Sequence, residues 1–311
     1  MGSRKTRAAT VSIISNASLI LMKIVAGLLT GSISLIAEAI HSLMDLAAAI
    51  VAFFSVRVSD KPADREHPFG HGKAENISGV VEAVLIFVAA GIIIYEAVQR
   101  IMKGSTLDML EIGIGIMAVS IVVNIFVSRY LLKVSRETDS LALEADAGHL
   151  TTDVISMLGV LIGLGVVRLA AALGRNLNIL DPVVAILVSF LIMRTAYILT
   201  NKSFGGLVDV KLPEEEETKI RQAITEHFGG EVVSFHRLRT RKAGSQRYID
   251  LHLVMPKHIS LEEAHVMCDH LEKDVRDRLL RTDVTIHVEP CDGKCEACGL
   301  TCRQRLPKKT A

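Results

Sequence analysis

Six stretches of this chain are each long and apolar enough to cross a lipid bilayer as a helix, and no other feature narrows its fold so far. A bilayer core takes roughly 20 consecutive apolar residues in helix. The runs near 10–29, 33–56, 77–100, 109–132, 146–170 and 180–200 meet that length. Half of the 311 residues are hydrophobic and the mean hydropathy is +0.39, too apolar for an ordinary soluble protein of this size. Gly31-Ser32 separates the first two runs, so they form a tight helical hairpin; Lys103-Gly104-Ser105 and Gly174 to Asn178 separate the later pairs. The basic start, Met1 to Thr10, resembles a signal peptide. The apolar run behind it is long and lacks a small-residue cleavage site, so it is expected to be the first membrane helix. The same start fits the loose myristoylation pattern, which weighs little beside six spans.

Charge orients the helices. Arg4, Lys5 and Arg7, then Arg57, Lys61, Arg65 and Lys73, then Arg129, Lys133 and Arg136, and finally Lys202 all flank one side; Arg100, Lys103, Arg168 and Arg175 flank the other. The positive-inside bias puts both termini in the cytoplasm of a multi-pass protein, expected in the cell (inner) membrane. A formal net charge of +1 gives no electrostatic case for nucleic acid as a partner.

Beyond Gly205-Gly206 the pattern becomes that of a charged soluble segment. Pro213 followed by four glutamates opens a helix near 214–228, with Pro in the first turn and acids facing the dipole. Strand-like runs at 231–240 and 246–255 meet at Ala243-Gly244. Ser260-Leu-Glu-Glu263 is a capping box before a helix near 261–280, and a last strand covers 283–289. The order αββαβ predicts helices on one face of a three-stranded sheet. Three segments follow: a six-helix transport domain over 1–206, a small cytoplasmic α+β domain over 207–290, and a cysteine-rich tail over 291–311. A reducing cytoplasm argues against disulfides among the five cysteines, and Cys268 reads as an ordinary helix residue.

One short pattern occurs twice. Residues 37–45 read Ala-Glu-Ala-Ile-His-Ser-Leu-Met-Asp and residues 145–153 read Ala-Asp-Ala-Gly-His-Leu-Thr-Thr-Asp. Each puts a His and an Asp four apart on one face of an apolar helix. Packed side by side, the two helices would bring His41, Asp45, His149 and Asp153 to one point, an N₂O₂ set suited to tetrahedral Zn²⁺. The plainer alternative is polar side chains hydrogen-bonded between helices. Burying an ionisable group in lipid costs roughly 3 kcal/mol or more, so a duplicated buried pair favours function. Glu38 and Asp146 lie one turn earlier and read as supporting or relay groups; Asn16 is a weaker polar candidate.

The paired motif, the six spans, the soluble α+β segment and the loop Pro62-Ala-Asp-Arg-Glu-His-Pro-Phe-Gly-His-Gly-Lys-Ala-Glu75 together resemble the cation diffusion facilitator family over nearly the whole chain. The resemblance implies a homodimeric metal/proton antiporter that exports a divalent metal from the cytoplasm. His at position 41 is similar to the zinc-selective branch of that family. Imidazole, softer than carboxylate, disfavours Mg²⁺, Ca²⁺ and Mn²⁺. Cd²⁺, Co²⁺, Ni²⁺ and Fe²⁺ stand behind Zn²⁺ as cargo. Because neutral imidazole binds metal and imidazolium does not, proton and metal compete for one site.

Three further places offer ligands. Asp64, His67 and His71 follow D-x-x-H-x-x-x-H, which places three ligands on one side of a turn or forms a solvated polar loop before helix 3. The family's loop metal site matches these three residues. His236, His252 and His287 each fall on a strand, either as exposed histidines or as ligands on one sheet face. The resemblance implies a zinc site at the dimer interface, with His236, His252, His265, His287, Glu289 and Cys291 at the matching positions; Glu289 stands where Asp is common. Cys291, Cys295, Cys298 and Cys302 follow C-x₃-C-x₂-C-x₃-C, dense enough to close around zinc, copper or an iron–sulfur cluster, or else a flexible thiol-rich tail.

Other classes fit less well. An intramembrane metalloprotease needs a water-activating Glu beside its ligands, as in H-E-x-x-H, and a phosphate-binding loop would mark ATP coupling; neither motif occurs. A passive channel would show carbonyl filters or charge rings instead of two His/Asp pairs. A non-transporting metal sensor sits poorly with a complete four-ligand set. The chain is expected not to be an enzyme.

Overall fold

A computed structural model describes residues 2–31, 33–103, 111–172, 179–227 and 232–292, apart from certain side chains at helix ends and those of 33–35, 37, 40 and 41. It divides into two compact units, residues 1–207 and 208–311. The linkers after Lys103 and around Gly174 to Asn178, and the cysteines at 295, 298 and 302, fall outside the described residues.

The first unit consists of α1 (Gly2–Thr30), α2 (Ile33–Ser59), α3 (Lys73–Lys103), α4 (Glu111–Thr138), α5 (Leu141–Ala172) and α6 (Leu180–Leu207). In hydrocarbon a helix satisfies its backbone internally, so apolar runs of this length fold one way. Five of the helices carry spans fit to cross a bilayer by length and composition: Arg4–Thr30, Ser42–Ser59, Lys73–Met102, Gly113–Thr138 and Pro182–Leu207. The exception among the described residues is α5, whose first half holds Glu144, Asp146, His149 and Asp153. Several helices outrun their apolar cores: α1 begins at Gly2, eight residues before its apolar run, and α4 continues to Thr138.

Packing makes α5 the central element. Its Ala142, Leu143, Ala147 and Leu150 join Ala8, Ala9, Val56, Val127 and Leu131 from α1, α2 and α4. Its Ala145 joins Ala83, Ile86 and Ala90 of α3 and Ile192 and Ala196 of α6. Small side chains let membrane helices approach closely. A Cβ at Gly159 would come within 2.9 Å of Val188 on α6, and one at Gly79 of α3 would collide with Ser203 of α6. Large apolar side chains such as Leu29, Phe126, Leu187 and Phe190 point outward, as a lipid-facing surface requires.

The longer α1 has a polar cause. Lys5 is fully buried and donates to Glu75 Oε1 on α3 at 2.8 Å. Ser59 Oγ of α2 donates to the same oxygen at 2.9 Å, and Ser140 Oγ donates to Glu75 Oε2 at 2.8 Å. The carboxylate thus ties the ends of α1, α2 and α3 to the start of α5.

The second unit contains α7 (Glu214–Thr225), β1 (Ser234–Ala243), β2 (Gln246–Met255), α8 (Leu261–Arg278) and β3 (Thr282–Pro290), the expected αββαβ order. Helix α7 follows Pro213 with Glu214 to Glu217 in its first turn, and Ser260 and Glu263 form the capping box of α8. The sheet order is β1-β2-β3, with β1 antiparallel and β3 parallel to β2. Ile249, Leu251 and Leu253 of β2 pack against Ile220 and Ile224 of α7 and Leu271 and Val275 of α8. The alternate β2 residues Asp250 and His252 lie on the other face. β1 starts three residues later than its apolar pattern suggests; residue 231 lies outside the described residues, and Val233 N–H already donates to Val254 O at 2.9 Å.

Leu251 is 1% exposed at the centre of this core. Leu251→Ala is expected to destabilise the second unit by roughly 2–5 kcal/mol, read as a lower urea midpoint for protection of the β2 amides from hydrogen exchange, with the exchange of α3 and α6 unchanged.

Candidate metal centre

Helices α2 and α5 carry the two copies of the repeated motif. His149 Nε2 lies within hydrogen-bonding distance of Asp45 Oδ1 across the helix pair, at 3.0 Å, and the same nitrogen lies 3.9 Å from Asp153 Oδ2 one turn on. One ligand atom from each of Asp45, His149 and Asp153 lies within 4.8 Å of the others. His149 is buried while the two carboxylates are partly accessible, so the cluster opens toward the acids. His41 lies on α2 one turn before Asp45; its side chain is outside those described. An imidazole nitrogen facing two carboxylates is an arrangement that could hold a cation.

Two charged neighbours complete the surroundings. Lys23 of α1 is buried and donates to Ser42 Oγ at 2.8 Å, and its ammonium lies 3.0 Å from Glu38 Oε1. Glu38, expected to support the site, thus neutralises a buried lysine. Asp146 is 1% exposed one turn before His149, and Asn16 is buried on α1. Sequence reasoning passed over Lys23, and it also passed over Glu82, a fully buried carboxylate of α3. The signal for both was a lone charge inside an apolar run.

The loop between α2 and α3 brings Asp64, His67 and His71 together, with ligand atoms within 4.8 Å of one another. Asp64 Oδ1 accepts the backbone N–H groups of Glu66 at 3.0 Å and His67 at 2.7 Å, which folds the turn around the carboxylate. The His67 N–H holds the Asp64 carboxyl below the usual carboxylate range. The imidazole centroids of His67 and His71 lie 4.3 Å apart with the rings tilted by 41°, and His71 Nε2 lies 3.4 Å from Asp64 Oδ2.

On the sheet, pairing register aligns the histidines. His236 of β1 pairs with His252 of β2, and His252 pairs with His287 of β3, so the three form one row. A bulge between His236 and Arg239, with Arg237 at φ 52°, bends β1 beside that row. His252 Nδ1–H donates to Glu289 Oε1 at 2.6 Å, and His236 Nε2 lies 3.3 Å from Glu289 Oε2. The bond from His252 holds the Glu289 carboxyl below the usual range. His236, His252 and Glu289 form the compact ligand group. His287 stands next in the row, its ring 4.7 Å from that of His252 and its Nε2 3.8 Å from Glu289 Oε1. His265 is exposed on α8, pairs with Asp269 at 3.8 Å, and is not part of the group. Cys291 extends β3 through its N–H to Met255 O at 2.8 Å, and its thiol is likewise not in the group. Cys268 packs in the core of the second unit.

Comparisons with known proteins agree with this architecture. Residues 9–208 match the family profile described as the cation efflux transmembrane domain, and residues 212–291 match that of the cation efflux protein, cytoplasmic domain. The chain is 37% identical over 274 residues to the uncharacterized transporter sll1263 of Synechocystis sp., covering 87% of this chain and 86% of that protein. It is 32% identical over 286 residues to the cation-efflux pump FieF of Salmonella newport, covering 92% of this chain and 93% of the pump. A solved metal-bound C-terminal domain of the CzcD transporter from Thermotoga maritima is 31% identical, with 24% of this chain and 87% of that one covered at a TM-score of 0.23. With both of its units matched in order, the chain belongs to the cation diffusion facilitator family of cation efflux transporters and is a multi-pass membrane protein.

Proposed function

We propose that this transporter exports Zn²⁺ from the cytoplasm in exchange for protons, through a tetrahedral site of His41, Asp45, His149 and Asp153. The observation that carries the proposal is the approach of His149 Nε2 to Asp45 Oδ1, 3.0 Å apart across α2 and α5. A metal ion bound by those atoms needs the nitrogen lone pair that a proton would otherwise occupy, so loading and protonation exclude each other. A proton gradient directed inward then releases metal on the acidic side and leaves an imidazole ready to reload on the other. In this reading both termini are cytoplasmic, the protein sits in the cell (inner) membrane, and it works as a homodimer.

The second unit, over 207–290, serves as the metal-binding and dimerisation domain. His236, His252 and Glu289 offer ligand atoms within 4.8 Å of one another, which suits a resident zinc ion. They would hold the ion from the open face of the sheet, with His287, His265 and Cys291 as additional donors; the ion would cross-link strands and sense cytoplasmic metal. The loop group of Asp64, His67 and His71 is a further binding site near the proposed cytoplasmic entrance. The tail, 291–311, binds metal through Cys291, Cys295, Cys298 and Cys302.

His149→Ala and Asp153→Ala are each expected to lower ΔpH-driven zinc flux in proteoliposomes by at least about 100-fold, since each removes a ligand from a four-ligand set. Wild-type flux in both variants would rule the site out. His41→Asp exchanges a borderline nitrogen for a hard oxygen, so flux measured across Zn²⁺, Cd²⁺, Co²⁺, Ni²⁺ and Fe²⁺ is expected to become less zinc-selective. In the second unit the depressed Glu289 carboxyl stays ionised in mild acid, so the imidazoles control occupancy. Zinc bound there should fall on acidification, because protonated imidazole cannot bind metal, and Glu289→Ala should weaken zinc binding at pH 7; equilibrium dialysis of the full-length protein measures both.

A further inference from the structure

Two buried carboxylates of the first unit have opposite fates. Glu75 and Glu82 lie two turns apart on α3, and both are fully buried. Glu75 is met by Lys5, Ser59 and Ser140. Among the described residues neither oxygen of Glu82 has a hydrogen-bond partner. Asp146 of α5 is 1% exposed, and its Oδ2 is also without one. The helix faces that carry them pack together: Ala83, next to Glu82 on α3, and Ala145, next to Asp146 on α5, belong to one buried cluster. Ser12 of α1 is buried with its hydroxyl in hydrogen-bonding reach of Asp146, and the buried hydroxyl of Ser78, one turn before Glu82, has no hydrogen-bond partner among the described residues. A packed interior rarely leaves so many neighbouring buried polar atoms unanswered, because each forfeits its solvation without compensation. Lys23, a second buried cation of α1 beside Lys5, is engaged by Glu38 and Ser42.

We propose that Glu82 and Asp146, with Ser12 and Ser78 beside them, form a second cation site that holds a hydrated divalent metal ion one helical turn from the transport site. The proposal rests on the reading that the chain moves divalent ions through the His149 cluster. Its donors are oxygen only. Such a set binds more loosely and with less selectivity for zinc than a His/Asp set, and it accepts waters as additional ligands. It is therefore a staging post: an ion arrives there still partly hydrated and exchanges oxygen donors for imidazole on moving to His149. The flanking hydroxyls carry bound waters without adding charge.

Mn²⁺ is the probe, because it favours oxygen ligands and its pulsed EPR signal registers coupling to ¹⁴N of a coordinated imidazole. Each of the three described ligand groups, Asp45/His149/Asp153, Asp64/His67/His71 and His236/His252/Glu289, includes histidine. Full-length protein in nanodiscs is expected to bind a nitrogen-free class of Mn²⁺, about one per protomer, as a single oxygen-only site implies. That class should persist in Glu82→Asp and vanish in Glu82→Gln and in Asp146→Asn. Should either amide variant fail to elute as a monodisperse protein, the other carries the comparison. Should both fail, the wild-type spectrum decides. Nitrogen coupling on every bound Mn²⁺, or a nitrogen-free class that is unchanged in the amide variants, overturns the proposal. Zinc flux that survives His149→Ala would defeat the transport reading instead and would leave the Mn²⁺ spectrum of the wild type as it is.

Discussion

The cost of holding a charge in hydrocarbon governs this molecule. A lone ionised side chain in lipid is penalised by several kcal/mol, so each must meet an opposite charge, a dense set of donors, or a ligand. The first unit uses these answers in different places. Lys5 and Glu75 neutralise each other where four helices begin or end. Lys23 meets Glu38 within the helix pair α1 and α2. Asp45 and Asp153 meet the His149 imidazole where α2 packs beside α5. The rest of the fold, small residues on α5 and apolar ones facing outward, arranges helices so that these charges meet.

What could be read from the sequence followed from repetition and period. Six apolar runs and one duplicated His/Asp pattern were visible because bilayer thickness and helical pitch fix the spacing of each. The alternation in 283–289 and the Ser260 to Glu263 capping box foretold β3 and α8 for the same reason. Lys23 and Glu82 were passed over because nothing repeats around them: a single charge in an apolar helix takes its meaning from the neighbour that tertiary packing supplies. The extension of α1 to Gly2 was hidden in the same way, since its reason is a partner 70 residues away at Glu75.

The sheet gives a finer case. Alternation assigned His252 and His287 to polar faces and His236 fell on a strand, but only pairing register decides whether they meet. A slip of one residue would have turned one of them to the other face. Here β1 runs antiparallel and β3 parallel to β2, and both registers bring a histidine opposite His252. The bulge that follows His236 absorbs the irregularity on the far side of the row. Glu289 then joins across the parallel pair, a contact that strand order alone could not foretell, because β3 reaches β2 only after the intervening α8.

The bridge between α2 and α5 has a mechanical corollary. Its side chains hang from two rods, and one residue of axial slip displaces them by about 1.5 Å, enough to break the coordination sphere proposed above. Occupancy and helix alignment are therefore two readings of one coordinate. A cation bound there, as proposed, would clamp the rods into register, and any force that shears them would lower its affinity by the same free energy. The loop of Asp64, His67 and His71 leads from α2 into α3, so strain in that register has a short covalent route to a second set of ligands.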